Sequence, residues 1–170
     1  MFWVSKIEWM TRFSGALAAI LVLPLIGALI IEVVSRHAFG SPTAWAYEVS
    51  YMVMGAIFML GMAEALRVRQ HVSVDIISGA LSARTNAIIQ VLGYLLLLPI
   101  LVWLVWELSN YAYTAFQTKE SSGRSAWSPV VWPLFSIWCL GFFMLALQIS
   151  AELLKAISII YGNMGRSDKT

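Results

Sequence analysis

A chain of 170 residues that is 60% apolar and only 12% charged, with mean hydropathy +0.79 and net charge +2, does not make a water-soluble globule, whose charged share is roughly 25%. The same numbers exclude a disordered chain, and a charge so small and scattered gives no footprint for nucleic acid. Cys139 stands alone, so neither a disulfide framework nor a dithiol redox pair is available.

A helix needs roughly 20 mostly apolar residues to cross the hydrocarbon, and the chain supplies that length four times. At the N-terminus Trp3, Ile7, Met10 and Ser14 share a helical stripe, which predicts a segment lying along the membrane surface before it turns into the first span, 15–34. That span carries Pro24 at its middle and Glu32 near its end. It is longer than a signal-peptide core and runs into Glu32 and Arg36 rather than a small-residue cleavage site, so it reads as retained. Ser41-Pro42 has the form of a helix start, serine capping and proline at the first helical position. The second span, 45–66, has Glu48 in its first turns and Glu64 in its last, within reach of Arg67. Val74, Ile77 and Leu81 form another surface stripe in the following connection. The third span, 85–106, is 22 uncharged residues long and the fourth, 126–151, is 26. Between them, residues 107–125 read as a polar loop around Ser121-Ser122-Gly123. The predicted fold is therefore an all-α membrane protein: one domain over 1–170, with four transmembrane helices and short interfacial amphipathic helices.

Lys6, Arg12, Arg67, Arg69, Arg84, Lys155, Arg166 and Lys169 fall on one side of these spans, against Arg36, Lys119 and Arg124 on the other. The positive-inside rule then places both termini in the cytoplasm. Tryptophan, which prefers the headgroup level, agrees: Trp45, Trp103, Trp106, Trp127 and Trp132 fall at the outer ends of spans two to four.

Acids inside a bilayer usually mark a solute or ion path. Here Glu32, Glu48 and Glu107 read as near the outer ends of spans and Glu64 and Glu152 near the inner ends, with none at mid-depth. Apart from Gln148, the span interiors offer an ion or polar solute nothing to bind, which suits a scaffold better than a pathway. Glu32 and Arg36 stand four apart in the favourable order for a helical ion pair, and Glu48 returns near their level, so the three could fasten spans one and two. Gly61 and Ala65 are spaced for close helix approach. His37 and His71 lie on opposite sides of the bilayer and cannot share a haem iron. No phosphate loop, Ser/His/Asp set or zinc spacing occurs, so no enzyme, cofactor or metal centre is expected.

Arg36-His37-Ala38-Phe39-Gly40-Ser41-Pro42-Thr43-Ala44-Trp45-Ala46-Tyr47-Glu48 resembles the stretch between the first two spans of the small membrane subunit of tripartite ATP-independent periplasmic (TRAP) transporters. Gly61 to Arg67 followed by His71-Val72-Ser73-Val74-Asp75 is similar to the same family's segment after span two. The family commonly has Tyr where His37 stands and often Gly where Arg69 stands. Toward the C-terminus, Ser125-Ala126-Trp127-Ser128-Pro129 with Trp132-Pro133 and Gly141-Phe142 loosely resembles a branch associated with 2-oxo acids, mannitol and aromatic carboxylates.

The resemblance implies a bacterial inner-membrane subunit with two protein partners. One is a large permease subunit that moves the solute by an elevator motion and binds the sodium; the other is a periplasmic solute-binding protein. The small subunit would anchor the large one and hold neither solute nor cofactor. Glu32, Arg36, Trp45, Glu48 and Trp127 are then candidates for structural or partner contacts at the outer face, and His71 and Asp75 at the inner one. The competing readings are an accessory protein of another membrane complex and a small autonomous exporter. The exporter lacks the essential mid-span acid it would need.

Overall fold

The structure, a computed structural model, describes residues 2–68 and 83–167; His71, Asp75 and the stripe Val74, Ile77 and Leu81 lie outside them. Four long helices follow one another: α1 (Phe2–Ala38), α2 (Ala46–Arg67), α3 (Ala83–Thr118) and α4 (Trp132–Ser167). Each is long and apolar enough to cross a membrane, as expected of an all-α, four-span protein. Pro24 and Pro99 sit inside α1 and α3, where the apolar surroundings tolerate a proline that a soluble helix would not.

α2 and α4 form the middle of the bundle, with α1 packed against α2 and α3 against α4; α1 also meets α4 at one end. Small residues set this spacing. Ala56, Leu60 and Ala63 on α2 and Ala151 and Ala156 on α4 are buried. A Cβ on Gly141 would stand 2.5 Å from the Met59 carbonyl oxygen. Gly15 fits against the Glu64 side chain in the same way, and Gly61 faces Ala18 across the α1–α2 contact. Below the Gly141 crossing, Leu101, Leu145 and Ile149 make the apolar core, with Met62, Leu66 and Phe142 around it.

The helix ends differ from the sequence expectation in four places. α1 is continuous from Phe2, so the N-terminal stripe is not a separate surface helix. Its inward face is Val4, Thr11, Ser14 and Ala18, while Trp3 and Met10 are exposed. Polar contacts to α4 draw this segment into the bundle. The second helix begins at Ala46, behind Trp45, and not at Ser41-Pro42, because the intervening residues are held by Glu32. α3 continues through the expected loop to Thr118, since Leu108, Ala112 and Ala115 extend its buried stripe along α4. The fourth helix starts at Trp132 rather than 126, with Pro133 in its first turn.

Candidate functional site

Polar side chains between helices gather at the two ends of the bundle. At the end bearing the α1–α2 and α3–α4 loops, Glu32 Oε1 accepts from Arg36 Nε at 3.0 Å and from its terminal nitrogen at 2.5 Å. Its Oε2 accepts from the Thr43 amide at 2.9 Å and from the Thr43 hydroxyl. One carboxylate thus closes the α1–α2 connection, pairing along its own helix and pinning the loop. Gly40, at φ +61°, makes the turn out of α1, and the Ser35 hydroxyl donates to the Ser41 carbonyl at 2.6 Å.

Glu48 does not join this pair. It is fully buried, and its Oε1 accepts from the Ser122 hydroxyl at 2.5 Å, across 74 residues of chain, while Oε2 has no partner among the described residues. Ser122 belongs to the loop after α3, which folds back on itself: Ser122 donates to the Pro129 carbonyl and Val131 to that of Glu120. Lys119 in the left-handed conformation ends α3, with the Glu120 amide on the Ala115 carbonyl. One turn along α2 from Glu48, the Tyr51 ring lies 4.6 Å beneath the Arg124 guanidinium. The loop is therefore seated on α2 by Glu48 and Tyr51, and it carries Trp127, half exposed, on its outer side. Trp45 has no side-chain capping bond and is partly exposed. Ser122→Ala strips the buried Glu48 Oε1 of its donor, and such a loss costs roughly 1–3 kcal/mol. The expected result is a lower melting temperature in detergent and faster tryptic cleavage at Arg124; unchanged cleavage would mean the loop is held by other contacts.

At the opposite end Thr11 donates to Gln148 Oε1 at 3.0 Å, both fully buried, and Gln148 Nε2 donates to Glu152 at 2.9 Å. Lys155 bridges Glu152 and Glu8, each at 2.6 Å. Beside them Glu64 and Arg67 pair on α2, as their spacing predicts. This network ties α1 to α4. Among the described residues no three His, Cys, Asp or Glu side chains group as metal ligands.

The middle of the bundle is different on its inside and its outside. Inside, between the two polar ends, α2 and α4 meet through Gly55 on Trp138 and Met59 on Gly141. Outside, α3 carries an acid at a depth the sequence misplaces. Cys139 Sγ contacts the Val105 carbonyl at 3.6 Å, Phe135 stacks edge-on against Tyr111, and Trp132 against Phe116. Glu107 therefore stands level with α4 between Phe135 and Cys139, and hence with the neighbourhood of Gly55 on α2. That is within about one helical turn of the middle of α2, whose 22 residues span roughly 33 Å. Glu107 is thus not at the outer end of its helix, because α3 runs on for eleven residues beyond it. It is exposed, and among the described residues it makes no hydrogen bond or ion pair. Trp103 and Trp106, expected to mark the outer interface, flank it and are exposed as well. By insertion scales a charged side chain facing lipid at such depth costs roughly 3 kcal/mol.

Comparison with known proteins places this architecture. The chain is 26% identical over 91 residues, 51% of its length, to a sialic acid TRAP transporter permease protein of Haemophilus influenzae (strain 86-028NP), and the match spans 15% of that relative. No solved structure matches the chain. The family model of the DctQ component of tripartite ATP-independent periplasmic transporters matches residues 25–158, which take in all of α2 and α3, most of α4 and the C-terminal part of α1. With four apolar helices and a match of that extent, the chain belongs to the DctQ component family of TRAP transporters, multi-pass membrane transport components and not enzymes.

Proposed function

We propose that the chain is the small, fixed subunit of a sodium-coupled, binding-protein-dependent transporter for an organic acid or similar small solute, anchoring a large membrane subunit that carries solute and sodium. The observation that supports this best is the inside of the bundle. Hydrogen-bonded polar side chains between helices gather mainly at its two ends, and the stretch between is closed by glycine, aromatic and aliphatic contacts; among the described residues the buried polar side-chain atoms without a partner are Glu48 Oε2, Ser50 Oγ and, against Gly55 at mid-bundle, the uncharged indole nitrogen of Trp138. A chain built this way offers stiffness rather than a route. The permease relative is much longer than the segment that matches, which suits a partnership in which a separate large chain supplies the moving part.

The charge distribution supports an inner-membrane location with both termini in the cytoplasm, so that the α1–α2 and α3–α4 loops face the periplasm. Arg36, Trp45, Arg124 and Trp127 are then available to a soluble solute-binding protein. Affinity purification of the tagged chain from native membranes is expected to recover a larger multi-span protein. The purified chain alone is expected to bind neither solute nor sodium in equilibrium dialysis. Retention of either by the isolated chain would overturn the scaffold reading.

A further inference from the structure

The outside of the bundle has two kinds of surface. On α1, Ile20, Leu23, Ile30 and Val34 recur at helical spacing and are all exposed, and the stripe between them holds no polar side chain. This is a face for acyl chains. Because α1 and α2 run antiparallel with Gly15 against Glu64 and Glu32 against Thr43, the stripe reaches to the level where α2 begins. The apolar band must extend at least that far.

On α3, Leu96, Ile100, Trp103, Glu107, Asn110 and Thr114 recur at the same spacing and are likewise exposed. Its lower half matches α1, but its upper half sets a carboxyl group and a carboxamide on the outer surface at depths where the α1 stripe is still apolar. Neither side chain has a hydrogen-bond or ion-pair partner among the described residues. α3 packs mainly on α4, through its opposite face, where Leu101 joins the apolar core. A four-helix protein alone in lipid gains nothing from such groups, whereas a neighbour able to donate hydrogen bonds removes their cost.

We propose that the α3 stripe centred on Glu107 and Asn110 is the face on which the large membrane subunit docks, through a helix that presents a cationic or amide side chain level with Glu107. This rests on the reading of the chain as a small transporter subunit, and it adds which face meets the partner and by what chemistry. The α1 stripe is the lipid-facing side of the complex.

Two measurements on the complex in native membranes test this. A photoreactive benzoylphenylalanine at position 103 or 114, on the same stripe but leaving Glu107 and Asn110 in place, is expected to form an adduct with the large subunit, and one at position 30 is not. Glu107→Leu is expected to lower the large subunit recovered with the tagged chain roughly threefold to tenfold. Glu107→Gln, still able to hydrogen bond, should retain more. Since Glu107 is exposed and makes no hydrogen bond or ion pair among the described residues, the level of the variant chain should not change. Adducts at 103 and 114 with lipid or with a second copy of this chain would overturn the proposal, as would full recovery with Glu107→Leu. If the unaltered chain recovers no large subunit, the small-subunit reading itself fails and the docking face with it. If it recovers one but cross-links through position 30, only the choice of face is wrong.

Discussion

Gly141→Ala is expected to cost the bundle more than its size suggests, lowering the melting temperature in detergent and the amount of protein in the membrane. The added Cβ would lie 2.5 Å from the Met59 carbonyl oxygen, 2.7 Å from its carbonyl carbon and 2.7 Å from its Cβ. Two of these three atoms are backbone, so no rotamer change relieves the contact, and α2 and α4 must separate. These two helices are the ones on which the others pack, so the separation reaches the buried Ala56, Leu60 and Ala63 face and the Gly55–Trp138 contact one turn away. Overpacking of this kind costs about 1–3 kcal/mol. Alanine also has the higher helix propensity, by about 1 kcal/mol in water, which opposes the effect. Gly93→Ala separates the two contributions. It lies in α3 with nothing within 4 Å of the added atom, so it keeps the propensity gain without the clash. The expected outcome is a fall in stability for Gly141→Ala and none for Gly93→Ala. A tolerated Gly141→Leu would show that α2 and α4 do not cross as closely as the structure has them.

The number and approximate position of the helices were readable from the sequence, because the cost of unsatisfied backbone groups in lipid forces long uninterrupted apolar helices. Their ends were not, for reasons particular to each. Residues 107–118 look like a loop by composition, yet Leu108, Ala112 and Ala115 keep the 3.6-residue period that carries α3 to Thr118; a periodicity count would have found it. Ser41-Pro42 is a sound local helix signal that loses to a tertiary contact, the grip of Glu32 on Thr43. The Glu32–Arg36 and Glu64–Arg67 pairs were legible because they are local. Glu48 was legible as a candidate but not in its role, since nothing in the chain announces that its partner is Ser122, 74 residues away. The depth of Glu107 was misjudged for the same reason as the end of α3. Once the helix is seen to continue, an acid that looked terminal becomes central.

Gln148→Leu is expected to loosen the N-terminal part of α1 while leaving α2, α3 and α4 together. Gln148 is fully buried and does two things there: its carbonyl accepts from the Thr11 hydroxyl, and its amide donates to Glu152. Leucine fills a similar space but leaves the equally buried Thr11 hydroxyl with no acceptor on α4, an imbalance that costs roughly 1–3 kcal/mol. Glu152 is less affected, because Lys155 still reaches it. The loss falls on α1 in particular, whose polar contacts with α4 include this bond and the Glu8–Lys155 pair. Lys155 and Glu8 are each about one-third exposed and lie at a bundle end, where an ion pair alone contributes little, so the buried bond carries the greater share. The measurement is a double-mutant cycle read by tryptic cleavage at Arg12 and by unfolding in mixed micelles. Thr11→Val alone and Gln148→Leu alone should each destabilise, and the pair together should cost less than the sum by about 1 kcal/mol, since removing both partners leaves no orphaned group. Strict additivity would mean that the two side chains are neighbours without a bond. Arg12 left unprotected in the double variant as well would identify this buried contact as what turns an otherwise surface-seeking, tryptophan-rich segment into the first turns of a bundle helix, whereas restored protection would show that packing alone holds it.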